Sequence, residues 1–114
     1  MLNFENFDQK IFAEKPIALI VFTAQWCKPS KLQQEILPQL KQEFSQVMIE
    51  IIDVDQHEKL ADRFNARTLP TSVIFAQGEI VEVLPGYQTL DFLQSYLSHI
   101  IKQVEEMKEA EKND

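Results

Sequence analysis

An α/β fold, with a central mixed sheet covered by helices on both faces, is predicted by three features of this 114-residue sequence. The segment Ile17-Ala18-Leu19-Ile20-Val21-Phe22 is apolar at consecutive positions, the pattern of a strand buried on both faces. Helically spaced segments alternate with β-branched runs, the order expected of crossover units. Gln77-Gly78, between the runs Thr71 to Ala76 and Glu79 to Leu84, marks a two-residue hairpin. Two crossovers then give three parallel strands, and the hairpin adds an antiparallel edge strand. A chain of this length with 45% hydrophobic residues is the size of one domain, and it buries enough surface to fold without metal or disulfide staples.

Taken in order, Asn3 is placed to cap a first helix over residues 3–14, with Phe4, Phe7 and Ile11 at helical spacing and Pro16 ending it. The apolar strand runs from Ile17 to Thr23. From Pro29 to Phe44, Leu32, Ile36, Leu40 and Phe44 recur every four residues, predicting an amphipathic helix interrupted by Pro38. Val47 to Val54 is a second strand. Asp55 and Glu58 have the spacing of a capping box for a helix through Phe64. After the hairpin, Pro85-Gly86 ends the strand. A last helix from about Thr89 carries Phe92, Leu93, Tyr96, Leu97, Ile100, Ile101 and Val104, then fades into the charged segment 105–114. The whole reads as a single domain over 1–114, its core about 16–101, its last residues, about 102–114, a charged helical extension.

The formal net charge of −7 excludes nucleic acid as the expected partner, because phosphate neutralisation needs clustered Lys and Arg. The single cysteine, Cys27, excludes an internal disulfide. The first residues lack the basic and apolar regions of a secretory leader, and no run approaches the ~20 apolar residues of a membrane helix. A cytoplasmic location is therefore expected. His57 and His99 are far apart in sequence and lack metal-ligand spacing with Cys27, and Asp53 and Asp55 read as a strand end and a helix cap, so no metal is expected.

Function in an open α/β sheet collects beyond the carboxyl ends of its parallel strands, where Trp26-Cys27-Lys28-Pro29-Ser30 lies. Cys27 falls where a helix begins. The partial positive charge of the helix terminus and the full charge of Lys28 both attract a thiolate, and Pro29 suits a first turn that has no use for its missing donor.

An apolar strand, then Trp26-Cys27-x-Pro29, then a proline-bearing helix, then Leu69-Pro70-Thr71 before a hairpin resembles the thioredoxin family, itself the reference case for C-x-x-C chemistry. The resemblance implies a thioredoxin-like fold and thiol–disulfide exchange with Cys27 as nucleophile. It also implies that Pro70 is cis and faces the nucleophile, that Gly86 lets a partner backbone approach, and that Trp26 packs beside the site. Trp26, Lys28, Pro29, Leu69, Pro70 and Gly86 are the expected substrate-binding residues. Disulfide-containing proteins are the implied substrates, a flavoprotein thioredoxin reductase is the implied electron donor, and no resident cofactor is implied. A monomer is expected, though one thiol also permits a disulfide-linked dimer through Cys27.

Departures from the family pattern are equally informative. Its second, resolving cysteine is Ser30, its usual glycine between the cysteines is Lys28, and its buried acid aligns with Val21, with the lysine beside that acid at Ile51. A serine substituted for cysteine and a naturally monothiol chain both explain Ser30. Either way a single-cysteine, trap-like form is expected, in which Cys27 forms mixed disulfides that Ser30 cannot resolve. The alternative from another class is a non-catalytic binding or redox-sensing module using the Trp26, Pro70 and Gly86 surface. A monothiol transferase would need a glutathione site, and the sequence identifies none.

Overall fold

The computed structural model describes residues 2–13 and 16–112. In chain order the elements are α1 (Phe7–Ala13), β1 (Ile17–Thr23), α2 (Lys28–Glu43), β2 (Val47–Asp53), α3 (Glu58–Arg63), β3 (Thr71–Ala76), β4 (Glu79–Pro85) and α4 (Leu90–Lys112). They build one four-stranded sheet in the order β2-β1-β3-β4. The mixed sheet with helices on both faces is as predicted, but the number of parallel strands is not. Only β1 and β2 run parallel; β3 lies antiparallel to β1, and β4 antiparallel to β3.

Helix length sets these strand directions. The 16 residues of α2 span about 24 Å at 1.5 Å per residue, enough to return the chain past a strand of about 23 Å and start β2 alongside the beginning of β1. The 6 residues of α3 span only about 9 Å. The chain therefore re-enters the sheet near the end at which β2 left it, and β3 runs the other way.

Strand β1 is buried at all seven positions, and its alternate side chains feed two cores. Ile17, Leu19 and Val21 pack with Leu37 and Leu40 of α2, with Phe44 at its C-cap, and with Leu93, Leu97, Ile100 and Val104 of α4. Ala18, Ile20 and Phe22 pack on the other face with Phe7 and Ile11 of α1, Leu60 of α3, and Val73 and Phe75 of β3. Phe64 there contacts Phe7, Phe22 and Phe75 ring to ring, and Arg63 lies over Phe7 and Phe64 while pairing with Asp8.

Several local expectations shift. Helix α1 begins at Phe7 rather than residue 3, because Asn3 and Asn6 exchange side-chain-to-backbone hydrogen bonds that hold residues 4–6 in a turn; residues 14 and 15 of the expected helix lie outside the described residues. The buried stripe of α2 is Ser30, Gln33, Leu37 and Leu40, continuing to Phe44, and Leu32 is exposed. A strict spacing of four drifts about 40° per step, so the row drawn through Leu32 leaves the core face, whereas steps of three and four stay on it. Helix α2 continues through Pro38. The N-cap of α3 is His57, not Asp55: Asp53 accepts the Asp55 N–H at 2.8 Å, and the turn this makes delays the helix. Helix α4 starts close to Thr89, as predicted, and Thr89 Oγ1 caps it by accepting the Phe92 N–H at 3.1 Å. Gln77 and Gly78 both have positive φ, the backbone that a tight hairpin turn requires.

Two stability predictions follow from polar groups near these cores. The Ser72 side chain is fully buried opposite Val21, and its hydroxyl lacks a hydrogen-bond partner among the described residues. Because an unsatisfied buried hydroxyl costs about 1–3 kcal/mol, Ser72→Ala is expected to leave stability unchanged or higher in urea unfolding, and a clear loss would contradict the unpaired state. Tyr96 has its hydroxyl titration raised above the usual 10.0 by partial burial and by the charge of Glu82, whose carboxylate accepts its hydrogen bond. The folded state thus holds this proton more tightly than the unfolded chain. Its contribution is intact below pH 10 and is lost as pH rises through the raised folded value. Melting curves above pH 10 should accordingly fall less steeply for Tyr96→Phe than for the parent chain.

Candidate active site

Beyond Thr23 the chain closes a tight turn that leads directly into α2. The Ala24 carbonyl accepts the Cys27 N–H at 3.1 Å, and the Ala24 N–H donates to Ser30 Oγ at 3.3 Å. Both backbone groups of Ala24 are thereby satisfied, as a buried residue requires. This turn delivers Cys27 to the N-cap of α2 in extended conformation, with φ −102° and ψ 113°. Its carbonyl accepts the Lys31 N–H at 3.2 Å, while its side chain makes no capping bond. Helix α2 therefore presents the positive end of its dipole at a cysteine whose sulfur is committed elsewhere.

That commitment is to the segment before β3. Cys27 Sγ–H donates to the Leu69 carbonyl at 3.6 Å, across 42 residues of sequence, and Cys27 is itself half-buried. The Leu69–Pro70 peptide is cis, and Pro70 is buried. The Pro70 carbonyl accepts the Gly86 N–H at 2.7 Å, and Gly86 has φ +87°, a conformation that favours glycine. A Cβ built there would meet nothing within 4 Å, so the space above Gly86 is open.

Trp26 is 71% exposed and does not cover the core. Its indole N–H donates to Asp55 Oδ2 at 2.8 Å, and beside it Gln25, Asp53, Asp55 and Gln56 line an open hollow of about 440 Å³. The predicted residues thus fall into linked pairs: Cys27 with Leu69, Pro70 with Gly86, and Ser30 with Ala24. Lys28 and Pro29 are exposed on the first turn of α2.

Beneath the site, Val21 is fully buried and sits directly across from Ile51 in the β1–β2 pair. No carboxylate or ammonium occupies either position. No group of three or more His, Cys, Asp or Glu able to hold a metal is found among the described residues. Sequence reasoning missed Gln33, which is 0% exposed and hydrogen-bonds the backbone of Gln88. Its only signal was a position three residues after Ser30, on the same helix face.

The family model for thioredoxin matches residues 1–99. A thioredoxin of Chlamydia caviae is 33% identical over 89 residues, covering 78% of this chain and 85% of that protein. A thioredoxin of Bacillus subtilis is 32% identical over 94 residues, with coverages of 80% and 90%. Among solved structures, a chain from work on the thiol resolving mechanism of yeast mitochondrial 1-Cys peroxiredoxin via glutathione/thioredoxin systems superposes with a TM-score of 0.74 at 27% identity, covering 90% of this chain and 92% of that one.

Ser30 is fully buried, and its hydroxyl accepts the Ala24 N–H. Ser30→Ala leaves that N–H unpaired and should lower unfolding stability by about 1–3 kcal/mol; an unchanged denaturation midpoint would show that the bond carries no weight.

Proposed function

The chain belongs to the thioredoxin family, and we propose that it performs the first half of thiol–disulfide exchange through Cys27, without an internal thiol for the second half. The observation that carries this reading is the meeting of Cys27 Sγ with the Leu69 carbonyl at the cis Leu69–Pro70 peptide, with Gly86 hydrogen-bonded to Pro70 on the far side. A half-buried sulfur at a helix N-terminus, flanked by an exposed indole and an open glycine loop, suits an extended partner segment lying across the site.

In the proposed step the Cys27 thiolate attacks one sulfur of a partner disulfide. A new S–S bond joins Cys27 to that sulfur, the old one breaks, and the partner's other sulfur leaves as a thiolate that takes a proton from water. Trp26, Leu69, Pro70 and Gly86 orient the partner, and Lys28 and Pro29 border its path. Release requires a second thiol. A neighbouring cysteine would act at an effective molarity of about 10⁵ M or more, far above a free thiol at millimolar concentration. Ser30 offers a hydroxyl that is a poor nucleophile and already accepts the Ala24 N–H. Val21 and Ile51, the positions at which the family resemblance places an acid and a lysine, are apolar and cannot serve as that acid–base pair.

The captured complex is therefore long-lived and is released by an external thiol. Disulfide-containing proteins are the proposed substrates. With cysteine at position 30 the chain would accept electrons from a thioredoxin-reductase-like flavoprotein. A cytoplasmic site of action suits this chemistry, and among the described residues no helix is long and apolar enough to cross a membrane.

Insulin disulfide reduction driven by a thiol reductant tests the reading. Ser30→Cys is expected to turn over many times under the reductant, whereas the parent chain mixed with insulin in the absence of reductant gives a stable adduct visible by mass spectrometry. If Ser30→Cys does no better than Cys27→Ala, the exchange reading fails.

A further inference from the structure

Glutamine is mostly a surface residue, yet Gln33 is 0% exposed in the second turn of the helix that begins at the nucleophile. Its amide is used on one backbone unit. Gln33 Nε2 donates to the Gln88 carbonyl at 3.0 Å, and Gln33 Oε1 accepts the Gln88 N–H at 2.7 Å. This paired pattern is the one a neighbouring strand would make, and it falls on the loop between β4 and α4. Gln88 then turns its own side chain back, with Nε2 donating to the carbonyls of Pro85 at 3.4 Å and Gly86 at 3.3 Å. Gly86 N–H is bound to Pro70. The loop over 85–88 is thus tied to the cis-proline segment on one side and to α2 on the other.

Resting on the exchange reading above, we propose that Gln33 is a positioning residue. By clamping Gln88 it fixes the gap between Cys27 and the Gly86 loop, so that an extended peptide disulfide is gripped with its sulfur in line, while a small aromatic disulfide reacts without needing the loop. The physical reason is positional. Gln33 lies six residues after Cys27 on one rigid helix, so the loop inherits its distance from the sulfur through two short hydrogen bonds rather than through the covalent path of more than fifty residues. Without the clamp, Gln88 has a backbone N–H and C=O that turn to water, and the loop loses one of its two anchors. An error of about 1 Å in such a gap is enough to cost on the order of a hundredfold in an oriented reaction.

The test uses the chain as it is, with its single cysteine, and two probes that release the same chromophore. One is an extended peptide carrying a cysteine mixed with thionitrobenzoate; the other is the symmetric bis-nitrobenzoate disulfide. In each, Cys27 thiolate forms an S–S bond with one sulfur and thionitrobenzoate leaves as the thiolate. Gln33→Met preserves length and burial but removes both hydrogen bonds. The expected result is a fall of tenfold or more in the ratio of the peptide rate to the small-disulfide rate. A ratio unchanged within twofold overturns the proposal, whether both rates fall together or neither does.

Should Gln33→Met not fold, amide hydrogen exchange of Gln88 in the parent chain decides. Protection comparable to the β3–β4 ladder supports the clamp, and exchange at open-loop rates overturns it. Failure of the parent chain to release thionitrobenzoate from either probe would instead defeat the exchange reading on which the clamp depends.

Discussion

Strand β1 is buried on both faces and hydrogen-bonded along both edges, and every other part of the molecule is placed relative to it. Full burial of a large aliphatic or aromatic side chain is worth about 1.5–3 kcal/mol, so Leu19, Ile20, Val21 and Phe22 together outweigh any preference of the turn that follows. The end of β1 consequently has little freedom. Ala24 is buried just past it, and both of its backbone groups are taken up by the first turn of α2. Cys27 needs no anchor of its own, because the turn and the helix behind it set where its sulfur lies.

Three stretches of chain meet around that sulfur: the β1–α2 turn, the segment entering β3, and the loop leaving β4. Single hydrogen bonds join neighbouring stretches, from Cys27 to Leu69 and from Gly86 to Pro70. Polar side chains stand at core-facing positions of α2 for the same purpose. Ser30 and Gln33 are fully buried, and each satisfies backbone groups of an adjoining loop that has no ladder partner. The apolar stripe of α2 resumes at Leu37, once the helix has passed the site.

What could be read without coordinates followed local periodicity. The unbroken apolar run from Ile17 to Phe22 revealed a central strand, Gln77-Gly78 a hairpin, and the spacing from Leu93 to Val104 a helix packed on the sheet. Trp26, Cys27, Pro70 and Gly86 were gathered into one site by the resemblance to the thioredoxin family, which implies their roles; spacing along the chain does not bring them together. The direction of β3 was not legible, because it depends on α3 being too short to cross the sheet. The capping role expected of Asp55 was lost to the turn before the helix, in which Asp53 accepts the Asp55 N–H and moves the cap to His57, while Asp55 accepts the Trp26 indole N–H across 29 residues.

From the sequence alone came the α/β class, the two long helices, the hairpin, and a lone thiol at a helix start; the reading of Ser30 as standing at a resolving cysteine's position came from the family resemblance. These rest on interactions between residues a few positions apart, which a linear pattern records. Tertiary structure alone decided that β1 and β2 are the one parallel pair, that Leu69 supplies the carbonyl facing Cys27, and that Gln33 meets Gln88 across 55 residues. The strand directions depend on how far α2 and α3 carry the chain, and the two contacts on which backbone groups the sheet leaves unpaired; these are long-range outcomes that no spacing along the chain encodes.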